Sequence, residues 1–286
     1  MADGNAPNRV ILRRILYRID FQLITERMQE ELFAFVGQEF GRFFSYQQQE
    51  MENAIGFEID VSKIEQSMEN RMAQPVRVNQ KAQPVFVFLH PQAPDSDGRQ
   101  LKIGRTFLFL EVNLNLKTMG IPYYEWMSKI VEKLKENPMF RLSRIGLRKF
   151  NSFYVLEKNK GILKDMFSID YLSEVERGEF VLDRFENMQV YNNMPYTLQF
   201  FRTYSSGNLK NEQLNIEDEP AHMIAFDFDL FTTDLDEMGA FMDDAQAGLK
   251  KMNDSIYKFF ENVVAEKIVG KINEGDLLQE YGIIPF

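Results

Sequence analysis

The sequence predicts an α+β protein: a mostly antiparallel sheet with helices packed on one face and a long C-terminal helix. Apolar residues recur with period two in segments joined by turn-rich stretches, the pattern of hairpins rather than of strands alternating with crossover helices. Three other stretches carry apolar residues at helical spacing, and the last of them, Met238 to Val263, is the longest.

Taken in order, Ile11, Ile15, Tyr17, Ile19, Phe21 and Leu23 alternate with Arg14, Arg18, Asp20 and Gln22, which makes Val10 to Leu23 a half-buried strand. Ile24, Met28, Leu32, Phe35, Val36 and Phe40 then fall on one helical stripe that Thr25 or a nearby polar group can open. A short strand is predicted at Gly56 to Val61, and the polar stretch Ser62 to Gln83 reads as irregular or partly helical. Val85 to Leu89 is a strand, Pro91 to Gly98 turns, and Leu101 to Leu116 carries one or two strands. Pro122 stands in the first turn of a helix whose stripe is Tyr123, Trp126, Met127, Ile130 and Leu134. The segment Phe140 to Leu156 follows as an arginine-bearing strand. Further strands are predicted near Asn187 to Val190, Tyr196 to Tyr204 and Met223 to Phe231, with a polar loop from Ser205 to Pro220. The chain divides into an α+β half over 1–157 and another over 158–286, as two subdomains or as one compact unit.

With 33 basic and 43 acidic residues the net charge is −10, which opposes non-specific binding to polyphosphate. Nucleic acid would need a local patch, built from Arg9, Arg13, Arg14 and Arg18 with Arg141, Arg144, Arg148 and Lys149. The absence of cysteine removes thiol nucleophiles, disulfides and zinc fingers. No apolar run approaches the roughly 18 to 20 residues of a bilayer span, and the opening Met-Ala-Asp-Gly-Asn-Ala-Pro-Asn lacks a secretion signal, so a cytoplasmic protein with no membrane contact is expected. His90 and His222 sit in neither a nucleophile elbow nor a His-Glu-x-x-His helix, and both read as structural rather than catalytic.

Strand alternation puts Arg144, Gly146, Arg148 and Phe150 on one face, and Ile145, Leu147, Lys149 and Asn151 on the other. Two guanidinium groups flank a position without a side chain, which suits an anion or a structural ion pair. A ligand cleft would draw on Arg144, Gly146, Arg148 and Asn151. In Ala225 to Phe231 the same rule places Asp227 and Asp229 together, about 7 Å apart along the strand. They could hold Mg²⁺ or Mn²⁺ for phosphoryl transfer, or pair across the sheet with Arg144 and Arg148; no phosphate loop or nuclease signature accompanies them, and the pairing is the stronger reading. In the last stripe Met238, Met242, Ala245, Leu249, Met252, Ile256, Phe259 and Val263 alternate spacings of four and three, a heptad seam that lies across a sheet or forms an interface. Gly239 and Gly248 weaken it as an autonomous coiled coil.

The order of Tyr123-Tyr124-x-Trp126, an amphipathic helix, Arg144-Ile145-Gly146-Leu147-Arg148-Lys149-Phe150-Asn151, Asp227-Phe228-Asp229-Leu230-Phe231 and Ile256 to Glu261 resembles a sporadically distributed family of prokaryotic proteins. That family carries an R-I-G-L-R-Y-x-N motif, a D-x-D-x-F strand and a C-terminal amphipathic helix. This chain departs from the motif at Lys149, where the family has tyrosine. The resemblance supplies no reaction and implies a mobile-element or defence setting. The function expected is a non-enzymatic module that binds a partner protein or itself, needing no cofactor. The alternatives are a metal-dependent phosphoryl-transfer enzyme using Asp227 and Asp229, and a sensor of a small anion at Arg144 and Arg148.

Overall fold

The computed structural model describes residues 11–59, 76–93, 96–114, 122–167, 176–177, 180–212, 216–265 and 283–285. Its centre is a ten-stranded sheet in which every pairing is antiparallel. The strands are β1 (Leu12–Phe21), β2 (Tyr46–Ile59), β3 (Val76–His90), β4 (Gly98–Ile103), β5 (Phe107–Asn113), β6 (Leu142–Leu156), β9 (Arg184–Asn193), β10 (Tyr196–Asn211), β11 (Ile216–Thr232) and β12 (Ile283–Pro285). A separate two-stranded piece joins β7 (Glu176–Arg177) to β8 (Phe180–Val181). The order across the sheet is β2-β3-β4-β5-β1-β6-β11-β10-β9, and β12 adds to β6 beyond the start of β1. One sheet therefore draws strands from both halves of the chain, with β6 between β1 and β11.

The longer helices are α1 (Glu26–Phe40), α2 (Tyr123–Lys135), α4 (Leu235–Asp243) and α5 (Ala245–Val263), with a short α3 (Ile162–Met166). Thr25 caps α1, its hydroxyl accepting the Met28 N–H at 3.2 Å. Leu32, Val36 and Phe40 of α1, Trp126, Met127, Ile130 and Leu134 of α2, and Leu249, Met252, Ile256 and Phe260 of α5 join Tyr17, Ile19, Leu110, Leu147 and Phe228 in one buried cluster. Phe200 lies parallel to Phe228 at 5.0 Å, and Phe259 meets both rings edge-on. Burial of each such ring is worth about 1.5–3 kcal/mol relative to exposure. Trp126 is flanked by Phe40, Phe43, Phe44 and Tyr123.

Several elements differ from the sequence expectation, for physical reasons. β2 starts at Tyr46 rather than near Gly56, and β3 already runs through the polar stretch 76–83; residues 62–75 of that stretch lie outside the described residues. The expected loop from Ser205 to Pro220 is largely hairpin, because β10 continues to Asn211 and β11 begins at Ile216. Its side chains are mostly solvent-exposed, so the strand needs no apolar alternation there. The last stripe is two helices: the Asp244 backbone leaves the helical conformation (φ −145°, ψ 90°), and its carboxylate accepts the Ala247 N–H at 2.9 Å as the cap of α5. At this elbow the ring of Phe241 lies where a side chain on Gly248 would stand, 2.5 Å from the position of a Cβ.

Candidate functional site

The register of β6 fixes the arginines. Opposite Arg144, Gly146 and Arg148 stand Asp20, Arg18 and Leu16 of β1, and on the other flank Gly146 and Arg148 face Phe231 and Asp229 of β11. The result is a ladder across β5, β1, β6, β11 and β10 in which each guanidinium meets a carboxylate and a ring. Arg14 reaches Glu111 at 3.3 Å and lies over Phe150; Arg18 reaches Asp20 at 2.8 Å and lies over Phe107. Arg148 grips Asp227 with two hydrogen bonds, Nε at 2.8 Å and Nη2 at 2.5 Å, with Phe201 beneath it. Arg144 sits more loosely, 3.6 Å from Asp20 and 3.7 Å from Asp229, stacked 4.6 Å over Phe231.

The electrostatics follow the geometry. The bidentate bond to Asp227 holds the Arg148 guanidinium above its ordinary range. Burial raises the Asp229 carboxyl, and the more distant Arg144 and Arg148 only partly oppose that. Four arginines thus face the four carboxylates of Glu111, Asp20, Asp229 and Asp227. The basic face anticipated from β1 and β6 does adjoin in the sheet, yet its charge is matched residue by residue. Arg9 lies outside the described residues. Arg141 bonds the carbonyls of Pro138 and Phe140 at the strand's entrance. Arg13, whose Nε donates to the Ser152 carbonyl at 3.4 Å, is lowered to about 10 by burial.

Two features of the predicted cleft are corrected. The gap at Gly146 is not open: the Arg144 guanidinium folds over it, 3.6 Å from where a Cβ would be. Asn151 does not join the arginines, because alternation turns it to the opposite face. There it is buried and lines a small, partly open pocket with Lys149, Leu12, Phe228, Ile256, Tyr257 and Phe260. Lys149 donates to Asn253 of α5, and burial lowers its amine to about 8. The seam residues Met238, Leu249, Met252, Ile256 and Val263 are buried in the core, while Met242 and Phe259 pack half-buried against it.

Asp227 and Asp229 face the arginines, and among the described residues no group of three or more metal-ligating side chains occurs. Neither histidine stands alone. His222, buried on β11, is held between the Tyr204 hydroxyl at 2.7 Å and the Glu157 carboxylate. His90 bridges the hydroxyls of Ser45 at 2.8 Å and Ser96 at 3.1 Å. These groupings join residues distant in sequence, and no motif announced them. Among the described residues no helix is long and apolar enough to cross a membrane. Comparison with protein families, with curated proteins and with solved structures finds no match to this chain.

Proposed function

We propose that this chain is a non-enzymatic, cytoplasmic assembly module, whose helices cover one face of the sheet and whose arginine ladder forms the working face. The observation that carries this reading is the composition of the ladder: Phe107, Phe109, Phe150, Phe201 and Phe231 stand half-buried among four charge-matched arginines. Aromatic residues and arginine are enriched at protein–protein interfaces, where charge left unmatched is costly to bury. Anion chemistry is less well served, because each guanidinium already has a carboxylate. The family resemblance adds a defence or mobile-element setting to the proposal.

The test is to purify the chain together with the proteins encoded beside it and measure complex mass by mass photometry, for the natural sequence and for Phe201→Asp with Phe231→Asp. A complex with a partner protein that is lost in the double variant, at an unchanged melting temperature, is the expected result. A partner complex that persists in the variant, or a natural chain that takes up no partner, overturns the reading.

A second reading rests on Arg144, whose ion pairs are the longest in the ladder: a small anion displacing Asp20 and Asp229 from it makes this a sensor. Thermal-shift screening of nucleotides and carboxylates decides it. A shift lost in Arg144→Gln supports the sensor, and no shift with any anion removes it.

A further inference from the structure

The sheet ends on β9, and nothing among the described residues pairs with its outer side. Edge strands in soluble proteins are usually guarded by lysine, proline, bulges or brevity. β9 has none of these: it runs for ten residues in unbroken register with β10 and contains neither lysine nor proline. From Asn187 to Asn193 it carries no charge at all. Met188 and Val190 are 54% and 50% exposed on it.

The direction of its free backbone groups can be read from one hydrogen bond. Opposed residues of an antiparallel pair alternate between exchanging both backbone bonds and exchanging none. The Ser206 N–H donates to the Asp183 carbonyl at 2.8 Å, and the register Arg184↔Ser205 puts these two residues opposite each other. Phe185, Asn187, Gln189, Tyr191 and Asn193 accordingly bond β10. Arg184, Glu186, Met188, Val190 and Asn192 direct their N–H and C=O groups outward, to the side where no described residue pairs with them.

We infer that β9 is a self-association edge, pairing antiparallel with β9 of a second copy about a two-fold axis at Gln189, so that two sheets become one. This goes beyond the ladder reading, because β9 is a separate edge of the sheet, and a dimer formed through it persists in Phe201→Asp with Phe231→Asp. The second copy is the occupant because the strand complements itself. Under this operation Met188 of each copy meets Val190 of the other in a bonded pair, Tyr191 meets Asn187, and Glu186 meets Asn192, with no like charges opposed. The opposite edge shows the contrast. On β2, Glu50 and Glu52 flank the exposed Met51, so a two-fold axis there sets carboxylate against carboxylate. A single strand pair falls at the small end of specific interfaces, below about 1,200 Å², and the dimer is concentration-dependent.

Sedimentation velocity of the full chain across a concentration series tests this. Val190→Pro removes an outward N–H and leaves the β10 ladder intact, whereas Gln189→Pro removes one that β10 uses. The expected result is a reversible natural dimer, weakened roughly tenfold or more in Val190→Pro at a nearly unchanged melting temperature, with a lowered melting temperature in Gln189→Pro. Val190→Lys, which keeps the backbone and adds an edge charge, is expected to weaken the dimer likewise and serves if the proline variant misfolds. A natural chain that is monomeric at every concentration, or a dimer equally strong in the Val190 variants, overturns the inference. A dimer that survives both Val190 variants but is lost in Phe201→Asp with Phe231→Asp overturns the edge and leaves the ladder reading standing.

Discussion

On β11, Phe228 and Asp227 are neighbours in sequence and opposites in environment. Phe228 is fully buried against Phe200 and the rings of α5, while Asp227 turns to the other side and is gripped by Arg148. The same alternation on β6 sends Leu147 into the core and Arg148 into the ladder. One face is thus held by non-directional apolar burial and the other by directional pairs that fix which residue stands beside which. Stability is concentrated on the first, and register on the second.

The sharpest way to break that contrast is Phe228→Ala, expected to cost about 3–5 kcal/mol in denaturant unfolding; a loss below about 1 kcal/mol would mean the helix-side rings are not the core. Arg148→Ala should cost less, about 2 kcal/mol, by leaving the Asp227 carboxylate without its two donors. The swap Arg148→Asp with Asp227→Arg should recover part of that loss, and a double-mutant cycle with no coupling would remove the pair from the account of register. Gly248→Ala sets a methyl group against Phe241 at a strain of about 1–3 kcal/mol, less about 1 kcal/mol regained in helix propensity, so thermal unfolding should show a net loss near the bottom of that range.

Lys149 offers a gentler probe, since it is a cationic group on the apolar side. Its amine lies near 8 when folded and near 10.5 when free. Between those values the unfolded chain binds more protons, so the group's contribution to stability rises with pH. The burial cost is present in full below about pH 8 and is relieved as pH climbs toward 10.5. Unfolding free energies of the natural chain and Lys149→Met should therefore converge over that window, and parallel curves would refute the burial. The smallest effect is expected from Mg²⁺ and Mn²⁺: calorimetric titration should show no saturable heat, whereas binding lost in Asp229→Asn would favour the metal-dependent alternative.

Much of this contrast is legible in the residues themselves. Period-two alternation separates Arg144 and Arg148 from Ile145 and Leu147, and the Asp-x-Asp strand stands out as their counterpart. Which aspartate meets which arginine is not legible, because it depends on a register between strands some 80 positions apart. The heptad stripe locates the buried residues of the last helices but hides the break at Asp244, since apolar spacing continues through it while the backbone does not. How the space at Gly146 is covered is not legible either: the Arg144 guanidinium, two residues back on the same face, lies in contact over it, and that depends on a side-chain conformation the residue order does not give. The start of β2 and the far ends of β10 and β11 escape notice because a strand made largely of polar residues has no alternation to read.

The placement of β12 has a kinetic consequence. β6 is flanked by β1 up to Asn151 and then by Ile283–Pro285 along Phe153 to Val155. Its partners come from residues 12–21, 216–232 and 283–285, so the central strand is completed only after very distant segments have met, which slows folding. During synthesis the backbone of Phe153 to Val155, a segment with two fully buried apolar side chains in the finished protein, waits with one flank bare until the last of these strands has emerged. In that interval the interior of the sheet is a sticky border for other nascent chains, and the three residues Ile283–Pro285 act as the seal that ends the exposure.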